Sequence, residues 1–278
     1  MPYAEWGTLS MVGSTKHVLS DGIEIAFEDT GHGEPALVLI HGPAFSNRSH
    51  LAPLVSFLAK HHRVIALDLR GQGESGVPRD GFRIADYAHD VLAVCREARV
   101  NRAVLCGHSL GGAVALTAAA LDPGLAAGVA LLDATPVLFP EPIRRNALEK
   151  LVPALEGPQW LEALRGYFGA RMFGPFDPPE LQPRIMDELA GVRPHIAATV
   201  MRDAFKSDFS DELAAVRCPL LFVHAGVPTD LGRLRELRPD VQIGSVVGSG
   251  HYIALVVPEQ VNAMLDRFLA ILPLAVPA

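Results

Sequence analysis

A chain of 278 residues with 49% hydrophobic and 20% charged side chains can bury one large core and is no disordered polymer. Its formal net charge of −7 at pH 7 argues against nucleic acid and against anionic membrane surfaces as partners. Cys95, Cys106 and Cys218 sit in apolar segments without a spacing framework, so they read as buried free thiols in a reducing compartment. The opening MPYAEWGTLSMVGS lacks a basic region followed by an apolar core, and the longest apolar run, 111–121, ends at Asp122-Pro123, too short for a bilayer. A soluble, cytoplasmic protein is expected.

Segments 16–19 and 23–28 alternate in polarity around Asp21-Gly22 and read as an antiparallel hairpin. Residues 36–40 form a continuous apolar strand that ends in His41-Gly42, with a helix near 49–60. Residues 63–67 are the next buried strand and run into Asp68-Leu69-Arg70-Gly71-Gln72-Gly73-Glu74-Ser75-Gly76. Segment 83–98 is helical, with Ile84, Tyr87, Val91 and Val94 on one stripe. A short strand at 103–106, a small-residue helix from Leu110 and a strand at 128–132 follow. From 134 to 217 the pattern is helical only, with about four helices broken by Pro153, Pro158, Pro175, Pro178-Pro179, Pro183 and Pro194. The strand–helix rhythm returns with 220–224, a helix near 230–237, 241–247 and a closing helix at 258–271.

Buried strands alternating with helices predict an α/β fold: a mostly parallel eight-stranded sheet with helices on both faces. Residues 1–133 and 218–278 would make its core, and 134–217 an inserted helical cap folding over one edge as a lid. Ligands of such sheets bind at the carboxyl ends of strands, where His41-Gly42, Ser109, Asp133 and His251 all fall.

The organising stretch is AVLCGHSLGGAVALTAAA, 103–120. Within it Gly107-His108-Ser109-Leu110-Gly111 matches G-x-S-x-G at a strand-to-helix turn. There the serine must adopt a strained backbone, so the positions two before and two after must lack side chains, and its hydroxyl is lifted over a helix N-terminus. Ser109 is therefore the candidate nucleophile. His251, in the loop after Gly248-Ser249-Gly250, is the candidate base that would take the serine proton, in the chain order nucleophile, acid, base. Gly71–Gly76 formally matches the dinucleotide fingerprint G-x-G-x-x-G, but Val77-Pro78 follows where a helix should begin, so a loop tied down by Asp68 and Arg70 is the better reading. No histidine spacing suits a metal, and no metal or cofactor is expected.

With these motifs the chain resembles the α/β-hydrolase superfamily over nearly its whole length. The resemblance rests on His41-Gly42, on Asp68-x-Arg70-Gly71-x-Gly73-x-Ser75, on the Ser109 elbow and on Gly250-His251. The N-terminal half looks most like the small esterases, enol-lactonases and carbon–carbon hydrolases. In most relatives the acid lies three residues past a glycine after the seventh strand. Here Thr229 occupies that place after Gly226, and Asp230, one residue later, would suit a helix N-cap. Some hydrolases of this fold place the acid at the end of the sixth strand, where this chain has Asp133. Asp133 is taken as the acid, with Asp230 the alternative. The resemblance puts one oxyanion donor on Leu110 and the other in the loop after His41-Gly42. Pro43 has no N–H there, which leaves Gly42 or Ala44.

The cap holds Phe139, Trp160, Tyr167, Phe168, Met172, Phe173, Phe176 and Phe205, some of which should face the site and favour an apolar or aromatic small-molecule substrate. The expected activity is cofactor-free hydrolysis of a small, fairly apolar carboxylic ester or lactone by Ser109, His251 and Asp133. Hydrolysis of a carbon–carbon bond in a dienone acid is the alternative reaction. A ligand-binding receptor on the same scaffold is the alternative from another class. An epoxide hydrolase or dehalogenase would carry an aspartate in place of Ser109. The oligomeric state has no signature in the sequence.

Overall fold

The structure, a computed structural model, describes residues 14–273, so most of the amino-terminal stretch read for a leader lies outside the described residues. Its strands are β1 (Lys16–Ser20), β2 (Ile23–Asp29), β3 (Ala36–Ile40), β4 (Val64–Leu67), β5 (Ala103–His108), β6 (Ala126–Leu132), β7 (Leu220–His224) and β8 (Gln242–Ser245). They form one eight-stranded sheet in the order β1-β2-β4-β3-β5-β6-β7-β8. β1 and β2 pair antiparallel across a turn in which Asp21 and Gly22 hold φ of 49° and 78°. β2 also joins β4 antiparallel, and every pairing from β4 to β8 is parallel.

Both faces of the central strands are buried, which is why they read as unbroken apolar runs rather than alternating ones. Leu37, Leu39, Val104 and Leu132 pack on one side, with α1 (Asn47–His50), α2 (Ala52–Leu58) and a closing helix, Pro258–Ala270. Val38, Ile40, Leu105 and Val129 pack on the other, with α3 (Ile84–Glu97) and α4 (Leu110–Leu121). Each such side chain contributes about 1.5–3 kcal/mol when fully buried. The chain leaves β3 toward β4 on one side and returns to β5 on the other. The carboxyl ends of β3 and β5 thus form the switch point of the sheet, with Ile40 paired to Gly107.

Between β6 and β7 the chain is helical. α5 (Glu141–Asn146) continues through one π turn, Ala147–Leu151, into α6 (Val152–Leu155). Then come α7 (Trp160–Arg171), α8 (Leu181–Leu189), α9 (Pro194–Lys206) and α10 (Ser210–Ala215). The expectation of about four helices was low because prolines mark starts as well as stops. Pro194 lies in the first turn of α9, where a missing N–H costs nothing, Pro183 sits in the first turn of α8, and Pro153 lies within the continuous run from α5 to α6 instead of ending it. α11 (Leu231–Leu237), α12 (Ile253–Val256) and α13 (Pro258–Ala270) complete the chain. No helix among the described residues is long and apolar enough to cross a membrane.

Candidate active site

Between β5 and α4, Ser109 holds φ 56° and ψ −121°, a conformation that costs a non-glycine residue of order 1–3 kcal/mol. Packing around the turn enforces it. A Cβ on Gly107 would lie 1.9 Å from the Gly111 carbonyl oxygen, and one on Gly111 would lie 2.2 Å from that of Ile40. A Cβ on Gly112 would meet that of Ala134 at 2.4 Å, so α4 rests directly against the start of the post-β6 segment. The Ser109 N–H donates to the Leu132 carbonyl at 3.0 Å, and Gly112 N–H donates to the Ser109 carbonyl at 3.0 Å. Leu110 is the first residue of α4, so its N–H has no acceptor within the helix.

Asp133 directly follows β6, with φ 42° and a fully buried side chain. Its Oδ2 lies 2.7 Å from His251 Nδ1, while its Oδ1 accepts the Ala225 N–H at 2.7 Å. Burial alone would raise this carboxyl, but the His251 hydrogen bond and charge and the Ala225 N–H outweigh it and hold Asp133 below the ordinary carboxylate range. Asp230, in contrast, caps α11, where its carboxylate accepts the Arg233 N–H at 2.9 Å. The structure therefore brings Asp133, and not Asp230, to His251.

The loop carrying His251 is fastened to the inserted helices. His251 N–H donates to the Met172 carbonyl at 2.9 Å. Asp177 bridges the two segments, accepting Gly250 N–H at 2.8 Å and Gly174 N–H at 2.9 Å. The contact is so close that a Cβ on Gly250 would stand 2.4 Å from Gly174 N, and this explains the glycine before His251. Beneath the elbow, His108 Nε2–H donates to the His251 carbonyl at 2.8 Å, and the rings of His50 and His108 meet at 4.4 Å. Burial pushes His108 down to about 3 and His50 well below its ordinary range, so both are neutral. His41 is locked as well: its Nδ1–H donates to the Gly42 carbonyl at 2.6 Å, and its Nε2 accepts the Leu69 N–H at 3.0 Å.

Ser109, Leu110, Asp133 and His251 line one cavity of about 230 Å³ beneath the inserted helices. Of the aromatics between β6 and β7, Phe139, Tyr167, Phe168 and Phe205, together with Met172, line this cavity. Phe173 packs on the Tyr252 ring at 5.3 Å instead, and Phe176 is exposed. Pro43 lines the cavity, while a Cβ on Gly42 would lie 3.4 Å from that of Ser109. Ala44, with φ 71°, faces an adjoining hollow. Gly71–Gly76 serves as a fastened loop. Asp68 accepts the N–H groups of Asn47 and Glu74 at 2.7 and 2.8 Å, and Arg70 forms a buried fork with Asp90 at 2.6 Å. Among the described residues no group of His, Cys, Asp and Glu could hold a metal ion.

Comparison with known proteins agrees with this architecture. Residues 37–264 match the alpha/beta hydrolase family, and the chain belongs to that family and is a hydrolase. It is 31% identical to 2-(acetamidomethylene)succinate hydrolase of Mesorhizobium japonicum, covering 92% of this chain and 97% of that one. It is 32% identical to pimeloyl-[acyl-carrier protein] methyl ester esterase of Xanthomonas campestris, over 87% of this chain and 98% of that one. Among solved structures, a thermophilic esterase from Thermogutta terrifontis superposes with a TM-score of 0.80 at 23% identity, covering 93% of this chain and 98% of that one.

Three residues at the site escaped the sequence reading. His108 was visible only as the x of G-x-S-x-G. Asp177 and Arg171 carry no motif, because their roles depend on where α7 and the segment after it dock.

Proposed function

We propose that the chain is a serine hydrolase of small, largely apolar carboxylic esters or lactones. Ser109 Oγ attacks the substrate carbonyl carbon and passes its proton to His251 Nε2, the nitrogen left over once Nδ1 is committed to Asp133. The tetrahedral oxyanion is held by the Leu110 N–H and by a second backbone donor, Gly42, whose main chain lies against Ser109. His251 then returns the proton to the leaving alcohol, and the acyl-serine is released when water repeats the sequence. Asp133 keeps the imidazole in the tautomer that can accept at Nε2 and stabilises the imidazolium as it forms.

One observation carries this reading. The Asp133–His251 hydrogen bond of 2.7 Å opens onto the same cavity as a serine held at φ 56° on an elbow. The two relatives above, a hydrolase and a methyl ester esterase, support the reaction class. The apolar wall of the cavity supports an apolar chain or ring in the substrate. The covering role of residues 134–217 is part of the same proposal, since α7 and α9 supply much of that wall.

Intact mass after treatment with an alkyl fluorophosphonate tests it. A single adduct that disappears in Ser109→Ala is expected, and an unlabelled wild-type protein overturns the reading. Turnover of a panel of aryl esters, lactones and dienone acids then assigns the bond that is cut.

A further inference from the structure

The cavity wall is largely apolar away from the reacting end, where Thr135 follows Asp133; beyond it the polar side chains are Tyr167 and Arg171, the last residue of α7. Arg171 is exposed at the cavity rim, and its guanidinium sits 4.7 Å from the centroid of the Tyr167 ring. That contact is a cation–π one with the guanidinium carbon over the ring, and it supplies no oxygen acceptor to the N–H donors. Among the described residues it has no carboxylate partner and donates no hydrogen bond. Arg70, Arg184 and Arg202, by contrast, are each paired with an acid. Apart from His251, Arg171 is the sole cationic side chain among those lining the cavity, and the one acid lining it, Asp133, is engaged by His251.

A cation oriented by an aromatic ring at the mouth of an apolar chamber, with its donor fork free, is a receptor for a planar anion. We propose that Arg171 anchors a carboxylate on the substrate, separated by an apolar spacer from the carbonyl presented to Ser109. The substrate class is then an ester or lactone of a dicarboxylic or similarly acid-bearing molecule. This rests on the hydrolase reading for the identity of the reacting end, but not for the anchor itself. A carboxylate suits the site better than a phosphate monoester, because one guanidinium without a second cation neutralises one negative charge. The anchor also brings an anion to a protein whose net charge is −7, which requires a local cation.

Binding to the full chain carrying Ser109→Ala tests the anchor without catalysis. Titration calorimetry would compare straight-chain carboxylates of four to eight carbons with the carboxamides of the same length at low ionic strength. At the best length the carboxylate should bind about tenfold tighter. That ratio should fall toward one in Arg171→Gln, survive in part in Arg171→Lys, and shrink as sodium chloride is raised to screen the rim. Equal binding of acid and amide at every length, or a preference that persists in Arg171→Gln, overturns the anchor. A matching alkylphosphonate that outcompetes every carboxylate overturns the carboxylate assignment. Kinetics of the wild type with 4-nitrophenyl half-esters and their terminal amides separates the two proposals. Ester turnover with no acid preference defeats the anchor alone, and acid-selective binding with no ester turnover defeats the hydrolase reading alone.

Discussion

The sheet edge and the helices laid over it are built by different physics. At the edge, position is dictated by backbone. Three glycines let α4 touch β3 and the segment after β6, Ser109 and Asp133 are held at positive φ, and the polar groups are tied by short buried hydrogen bonds. Over the cavity, position is dictated by side-chain packing. Phe139 and Phe205 meet at 4.6 Å, Tyr167 meets Phe205 at 6.0 Å, and the Arg145–Glu141 ion pair of the inserted helices lies at the surface. On the proposed mechanism, reaction belongs to the part fixed by backbone, and the fit to a substrate to the part fixed by side-chain packing.

The sharpest way to break that contrast is to alter one side chain in each region. Ser109→Ala or His251→Ala should lower kcat by about 10⁶, and Ser109→Ala should do so with the thermal midpoint nearly unchanged. Phe139→Ala or Phe205→Ala should act chiefly on KM and on the order of preferred substrates. A change in either phenylalanine that abolished turnover at saturating substrate would show that the division of labour is false.

Within the edge, the two aspartates considered for the acid separate next. Asp133→Asn should cost about 10⁴ in kcat, because the amide holds the wrong imidazole tautomer. Asp230→Asn should leave kcat alone, since the Asp230 carboxylate caps α11 and asparagine caps comparably well. Equal kinetic losses in the two would remove Asp133 from its assigned role.

A third comparison is of stability. Arg70 and Asp90 form a fork that is almost wholly buried, whereas Arg145 and Glu141 are exposed. Removing the cation alone, as Arg70→Met, should cost about 3–5 kcal/mol in urea unfolding, because it strands a buried carboxylate. Arg145→Ala should cost less than about 0.5 kcal/mol. Similar losses from both would mean that the inserted helices carry as much of the polar stabilisation as the core.

The same division explains what could be read in the amino-acid sequence. The glycines of the elbow, the unbroken strands and the small-residue helix leave direct marks, because backbone geometry restricts residue type. Asp133 could be named because it closes an apolar strand, but its contact with His251 depends on β6 and β7 being neighbours, with Asp133 N–H donating to the Val223 carbonyl at 2.6 Å. Arg171 and Asp177 left no mark. A cation at a helix C-terminus is commonplace, and although Tyr167 lies one turn before Arg171 in α7, only the docking of the segment puts Arg171 on the cavity and Asp177 against the His251 loop. The helix count failed for a related reason. A proline that breaks one helix also begins the next, and local sequence does not say which.

The smallest expected effect concerns a carboxylate remote from the cavity. Asp29, at the end of β2, receives a fork from Arg63 at 2.9 Å and a bond from Lys16 at 3.2 Å. Burial opposes its charge, yet Arg63, the Gly31 N–H and Lys16 together lower it from 3.8 to about 2. A carboxyl depressed by folding stabilises the protein fully above its unfolded value and loses that contribution as pH falls toward its folded one. The stability difference between wild type and Asp29→Asn, from urea unfolding, should therefore be level above about pH 5 and shrink steadily between pH 4 and 2. Arg63 is only partly exposed and holds Asp29 in a fixed fork, so this dependence should survive moderate salt, unlike that of the exposed pairs on the inserted helices. A difference that stays constant down to pH 2 would show that the carboxylate contributes through shape and hydrogen bonding alone, with its charge playing no part.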